Sequence, residues 1–183
     1  MTEHPAVRLT TAHSADLGTA ERTAARALLY DVFEGDIDEH DWEHCLGGVH
    51  AMVWEGPELV GHASVVQRRL LHAGRALRTG YVEGVGVRAD RRGRGHGAAL
   101  MAALERIVRG AYELGALGST DEAAGFYAAR GWRLWSGATE ALTPGGVVRT
   151  KDADGCVYVL PAAVTPDPAG GPLVCDWRDG DVW

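Results

Sequence analysis

Apolar and polar positions along the chain change their period repeatedly, and each change marks an element. Residues 6–12 (AVRLTTA) read as a short strand. From about 15 to 33, Leu17, Ala24, Ala25, Leu28, Leu29 and Val32 recur at helical spacing, with Ser14 placed to cap the helix. A second, short helix is predicted near 38–46, stopped by Gly47 and Gly48. Three strand-like stretches follow at 49–54, 58–71 and 75–87, separated by Glu55-Gly56-Pro57 and His72-Ala73-Gly74, which predicts an antiparallel meander. Next come a long amphipathic helix at about 95–113 and a short strand at 115–118. A capping-box pattern, Ser119 to Glu122, then opens a helix that stops at Gly131. Strands at 132–135 and 156–160 close the set, and 161–183, rich in Pro, Gly and Asp, reads as an extended tail. Strands, then helix, then strand predict an α+β fold with a mixed, mostly antiparallel central sheet flanked by helices.

Composition narrows the class. A chain of 183 residues, 46% hydrophobic and 23% charged, predicts one globular domain over 1–183. No apolar run approaches a membrane span, and Met1-Thr2-Glu3-His4-Pro5 lacks the character of a secretory signal, so the expected location is the cytoplasm. Cys45, Cys156 and Cys175 stand at wide, odd spacing, as reduced thiols do. A net charge of −7 argues against nucleic acid and allows a cationic partner.

The distribution of charge says more than its sum. Residues 31–43 hold seven acids and no Lys or Arg, whereas 88–97 hold Arg88, Arg91, Arg92 and Arg94 against Asp90 alone. From 152 onward there are six aspartates and one arginine. An arginine-rich segment between two acidic ones suits an enzyme that holds an anionic cofactor beside a cationic substrate.

The sharpest local signal runs from Val85 to Leu100: a strand end, a turn rich in Gly and Arg, and a helix start. Glycines let backbone approach a ligand, and helix N-terminal N–H groups attract phosphate. Gly93-x-Gly95-x-x-Ala98 fits a loose dinucleotide fingerprint, but Arg88–Arg92 separate it from the strand and the parallel βαβ context is missing. No Gly-Lys-Ser/Thr occurs for a Walker loop. His40-Asp41-Trp42-Glu43-His44 fits H-x-x-E-H, but no third zinc ligand stands out, and no metal is expected.

Arg92-x-x-Gly95-x-Gly97 instead resembles the pyrophosphate loop, Q/R-x-x-G-x-G/A, of the GCN5-related N-acetyltransferases (GNAT). Val82–Val87 precedes it as the acetyl-CoA strand, and Ala123–Trp132 is similar to the family's second cofactor helix. A narrower resemblance covers almost the whole chain. Asp41–His44, Leu46–Gly48, Gln67–Leu70, Gly80–Val85, Arg109–Tyr112, Arg130–Trp132 and the ending Cys175–Trp183 look like the aminoglycoside 2'-N-acetyltransferases of actinobacteria. The resemblance implies the GNAT fold, acetyl-CoA as donor with coenzyme A as product, an aminoglycoside amine as acceptor, a homodimer, and a C-terminal tail that contributes to the substrate site. Rival acceptors are an endogenous small amine, a cell-wall amino sugar or a peptide amine. At Gly118 the family tends to place serine, and Ala153 interrupts its acidic run.

An amine must lose a proton before it attacks a thioester, and Glu83 is the candidate base on the acetyl-CoA strand. A backbone N–H near Val85 is the candidate oxyanion donor, and Tyr127 the candidate acid for the departing thiolate. Val85, Gly86, Val87, Arg92, Gly93, Arg94, Gly95, His96 and Gly97 are the expected cofactor residues. Asp36, Asp41, Glu83, Gly84, Gly118, Asp152, Asp181 and Trp183 are the expected substrate residues, with Asp38 and Asp154 behind them.

Overall fold

The computed structural model describes residues 6–183, and its contacts gather into two compact units. One comprises the chain through Val66 together with Glu83–Arg106; the other comprises Gln67–Val82 and Ile107–Trp183.

In the first unit, β1 (Val7–His13) pairs antiparallel with β2 (Val49–Glu55), and β2 pairs antiparallel with β3 (Glu58–His72). The register of the second pair shifts between Val53 and Trp54. The Arg88 N–H, just past the end of β4 (Arg75–Val87), donates to Val60 O of β3 at 2.9 Å. Helices α1 (Thr19–Val32) and α2 (Glu39–His44) supply Ala25, Leu28, Leu29 and Trp42 to a core that also holds Leu17, Cys45, Met52 and Leu59. This apolar set is the one the helical spacing of 15–33 predicts, but the start of the helix differs. Residues Ser14–Asp16 form a separate 3-10 turn, and α1 opens at Gly18, whose N–H is taken by Glu21. Ser14 is no cap because its hydroxyl faces Gly48 O and His50.

The second unit is a mixed sheet in the order β6-β9-β5-β4-β3-β10-β7-β8, to which β3 and β4 contribute their Gln67–His72 and Arg75–Val82 parts. Its strands are β5 (Leu114–Gly118), β6 (Arg133–Leu134), β7 (Thr139–Thr143), β8 (Gly146–Arg149), β9 (Val157–Pro161) and β10 (Leu173–Asp176). The β4–β5 and β7–β10 pairs are parallel; the other pairs with a defined register are antiparallel. The long helix α3 (His96–Ala111) buries Leu100, Met101, Leu104 and Val108 along one face, as its amphipathic pattern requires.

Three expectations change here. The Ser119–Glu122 capping box does not form: Ser119 Oγ donates to Thr120 O, a 3-10 turn spans Asp121–Ala123, and α4 covers only Ala124–Ala128. The hairpin of β7 and β8 was not foreseen. The tail is partly sheet, since β10 lies between β3 and β7 with Leu173 and Cys175 fully buried. None of the three cysteines forms a disulfide.

The entry to β2 depends on a glycine. A Cβ on Gly48 would stand 2.0 Å from Val65 O, so the two backbones meet there without room for a side chain. Gly48→Ala is therefore expected to destabilise the protein by about 2–3 kcal/mol through forced strand displacement, read as a lower thermal midpoint.

Candidate active site

The arginine-rich turn is built on a buried carboxylate. Glu55, at the end of β2 and 7% exposed, takes a hydrogen bond from Arg91 Nε at 2.8 Å and contacts His96 Nε2 at 2.9 Å. Arg94 Nη1 lies 3.8 Å from the same carboxylate. Arg88 is held by Asp90 and Glu58, and Arg92 donates to Val87 O at 3.2 Å. The turn is thus folded by its own side chains, while its backbone faces outward. Gly93 and Gly95 take φ of +74° and +85°, and the space where a Cβ would stand at either is open. They lead directly into the N-terminus of the 16-residue α3, whose first N–H groups lack intrahelical acceptors. An arrangement of this kind is able to hold a phosphate group. His96 enters it through its backbone, since its imidazole is committed to Glu55.

Upstream on β4, Glu83, Gly84 and Val85 are half-buried, and Gly86 is buried. Gly84 has φ of +56°, and a Cβ there would stand 2.7 Å from Cys45 Sγ. The strand is therefore deformed just before the cradle, and only glycine fits the deformation. The Gly84 carbonyl accepts a hydrogen bond from His62 Nδ1 at 2.9 Å.

The acidic residues near the first helices divide by role. Asp36 is exposed, whereas Asp38 and Asp41 cap α2 reciprocally, each accepting the other's N–H at 3.1 and 2.8 Å. Asp41 keeps its second oxygen for other work. In the H-x-x-E-H segment, His40 lies 3.8 Å from Glu43. Among the described residues no group of three or more His, Cys, Asp or Glu could hold a metal.

In the second unit the C-terminus is folded in. Trp183 is buried, its indole N–H donates to Thr150 Oγ1 at 2.8 Å, and its own N–H goes to Asp181 Oδ1 at 3.0 Å. A Cβ at Gly118 would stand 3.5 Å from the Trp183 backbone carbon, 3.6 Å from its oxygen and 3.6 Å from the Tyr81 hydroxyl. Gly118 and the Trp183 backbone thus share one place, and a serine would fit there in ordinary contact. Asp152 is exposed in the turn that follows Thr150. Asp154 is removed from the substrate candidates: it holds Arg149 and both the N–H and hydroxyl of Thr139, and these bonds keep its carboxyl well below the usual range. Tyr127 is buried among Phe126, Trp132 and Tyr158, and burial pushes its phenol up to about 12, so it is protonated at neutral pH.

Three groups were missed in the sequence. Glu55 was assigned to a turn. His50 and His62 lie inside what read as plain strands. Tyr81 carries two guanidinium groups, Arg68 at 4.7 Å and Arg178 at 5.5 Å from its ring centroid. A histidine at an alternating buried position is the one signal that could have exposed the pair.

A deformed strand feeding a glycine-rich anion cradle at a helix start is the pattern of an acyl-CoA-dependent acyltransferase. The chain belongs to the acetyltransferase (GNAT) family, whose model matches residues 17–132. It is 49% identical over 177 residues to the aminoglycoside 2'-N-acetyltransferase of Mycolicibacterium fortuitum, covering 93% of this chain and 89% of that one. Among solved structures, Escherichia coli ElaA is similar in fold, with a TM-score of 0.61 at 20% identity, covering 85% of this chain and 99% of that one. An acyl-CoA N-acyltransferase from Pseudomonas aeruginosa also scores 0.61, at 19% identity, covering 85% and 99%. No helix among the described residues is long and apolar enough to cross a membrane.

The Glu55 brace has a definite pH signature. The His96 hydrogen bond, then Arg91, holds the Glu55 carboxyl below its ordinary value. A lowered folded pKa gives stability that is complete above the unfolded value of about 4.3 and lost as pH falls through the folded one. Glu55→Gln is expected to be less stable than wild type at pH 7, with the difference shrinking below about pH 4. Denaturant unfolding across that range measures it.

Proposed function

We propose that the protein transfers the acetyl group of acetyl-CoA to the 2'-amino group of aminoglycosides by direct attack of the amine. The observation that carries this reading is the 49% identity, spread over 93% of the chain, to a protein named for that activity. Acetyl-CoA supplies an activated thioester and carries the negative charge that the cradle is suited to hold.

Gly93, Gly95 and Gly97 with the first N–H groups of α3 would bind the pyrophosphate, and Arg92 and Arg94 add positive potential. Val85, Gly86 and Val87 would hold the acyl arm by backbone hydrogen bonding, with the Val85 N–H donating to the carbonyl oxygen as negative charge grows on it. Glu83 takes the proton of the ammonium, directly or through a water. Tyr127, kept protonated by its burial, is the donor for the thiolate. Asp36 and Asp41 in the first unit, and Asp152 and Asp181 with Trp183 in the second, are the proposed substrate residues, the aspartates supplying negative charge for a polycationic sugar. The buried, hydrogen-bonded Trp183 supports this role of the tail, because a frayed segment could not hold Asp181 in place. In a cell this activity would confer aminoglycoside resistance, and the resemblance implies a cytoplasmic homodimer.

Coenzyme A release over a panel of aminoglycosides with and without a 2'-amine tests the reading. Turnover confined to 2'-amino compounds is expected. Equal rates with 2'-hydroxy analogues refute the regiochemistry, and acetylation of peptides alone refutes the substrate class.

The tail yields a sharper prediction. Asp181→Asn removes one negative charge from the tail while keeping the side chain's shape. Loss of one charge-assisted contact, about 1.5–3 kcal/mol, should raise the aminoglycoside KM by one to two orders of magnitude. Acetyl-CoA affinity, measured by calorimetry, should stay within about twofold of wild type.

A further inference from the structure

Three side chains and two backbone groups form a continuous buried chain in the first unit. The Gly47 N–H donates to Ser14 Oγ at 3.0 Å, and Ser14 Oγ lies 2.7 Å from His50 Nε2. His50 Nδ1 lies 2.9 Å from His62 Nε2, and His62 Nδ1 lies 2.9 Å from the Gly84 carbonyl oxygen. Both imidazoles have zero exposure, and Ser14 has 6%. Trp42 covers them, with ring centroids 6.3 and 6.4 Å away.

The last acceptor fixes every proton. A carbonyl oxygen only accepts, so His62 Nδ1 must carry hydrogen. Burial holds His62 at about 4 and His50 at about 3, with Arg22 and His13 further opposing charge on His50, so both rings are neutral. His62 Nε2 is then an acceptor, His50 Nδ1 a donor, and His50 Nε2 the acceptor of the Ser14 hydroxyl proton. Each donor is matched and no charge is buried. A two-histidine chain is an expensive way to fill a core with polar groups unless the end it grips matters.

What it grips is the peptide unit between Gly84 and Val85. In a trans peptide, C=O and N–H point in opposite directions. Drawing the Gly84 oxygen toward His62 on β3 therefore aims the Val85 N–H away from β3. Strand alternation gives the same direction independently: the Arg88 N–H donates to Val60 O on β3, so the odd-numbered N–H groups of this stretch face the other edge. Gly84, at φ of +56°, supplies little restraint of its own, and the unit needs an anchor.

We infer that Ser14, His50 and His62 are positioning residues for acyl transfer: their hydrogen-bonded chain clamps the Gly84 carbonyl and so sets the direction of the Val85 N–H that stabilises the oxyanion. The inference rests on the acetyltransferase reading above. None of the three touches the substrate, and their effect is transmitted through one peptide plane.

The test uses the intact enzyme. His62→Leu keeps bulk and removes the donor; His62→Asn places an amide N–H where Nδ1 stands. His62→Leu should lower kcat at least tenfold while the acetyl-CoA KM moves less than threefold, and His62→Asn should recover most of the loss. A kcat within twofold for His62→Leu, or equal losses for both variants, overturns the proposal. Because a core variant can fail to fold, nitrogen-15 histidine spectra of the wild-type enzyme provide a second reading. Both rings should be neutral with hydrogen on Nδ1 from pH 5 to 8, and titration of either ring, or hydrogen on Nε2 of His62, also overturns it. Absence of wild-type turnover with any aminoglycoside would instead refute the function while leaving the proton assignment measurable.

Discussion

The arginine-rich turn is fastened to the strand beside it by the buried Glu55. Four arginines within ten residues repel one another, and a glycine-rich turn has little backbone preference to resist that repulsion. A carboxylate at the end of β2 that bonds both Arg91 and His96 offsets the repulsion and ties the turn to a strand and to the first residue of α3. Arg91 is held by Glu55, and Arg88 by Asp90 and Glu58, so side chains fix the turn while the space beside Gly93 and Gly95 stays open.

The same separation of scaffold from chemistry recurs on β4. The strand bends at Gly84, and a glycine there permits the bend without specifying it. Specification comes from the core side, where His62 grips the carbonyl. Buried polar chains are tolerated when every member is satisfied, and this one is satisfied without any formal charge. Ser14, which the sequence suggested as a helix cap, is drawn into that chain instead, and α1 starts five residues later at Thr19.

Long periodic segments are readable in the sequence: α1, α3, the meander of β2 to β4, and the glycine-rich turn before α3. Their signals are local, because period and punctuation act within a few residues. What was missed depends on distant partners. β10 is four residues after a stretch of prolines and glycines, and its burial is fixed by β3 and β7, about a hundred and about thirty residues away along the chain. The β7–β8 hairpin did leave a trace, since Pro144-Gly145-Gly146 is a turn signal, but its flanks alternate too weakly to stand out. Asp154 illustrates the limit for site residues. Its place in an acidic run looked like substrate binding, yet Arg149 and Thr139 claim both of its oxygens. Composition shows that charge is present and cannot show which charges are already matched.

The C-terminal segment shows how a terminus becomes a structural element. Arg68, 4% exposed, bonds Asp176 through its side chain and backbone at 2.7 and 2.8 Å and stacks on Tyr81. Arg178 approaches the same ring and donates to Asp181 O at 2.7 Å. A planar cation on an aromatic face contributes roughly 0.5–2 kcal/mol, more as water is excluded. Two such contacts on Tyr81, with β10 in the sheet just before them, restrict the last seven residues to one path. That path brings the Trp183 backbone against Gly118, where even an added methyl group would find only ordinary contacts. Substitution at 118 therefore leaves Trp183 where it is, and the glycine found here alters what stands beside that residue without altering its position. The placement of Trp183 depends on Tyr81, Arg68 and Arg178 more than on the identity of residue 118.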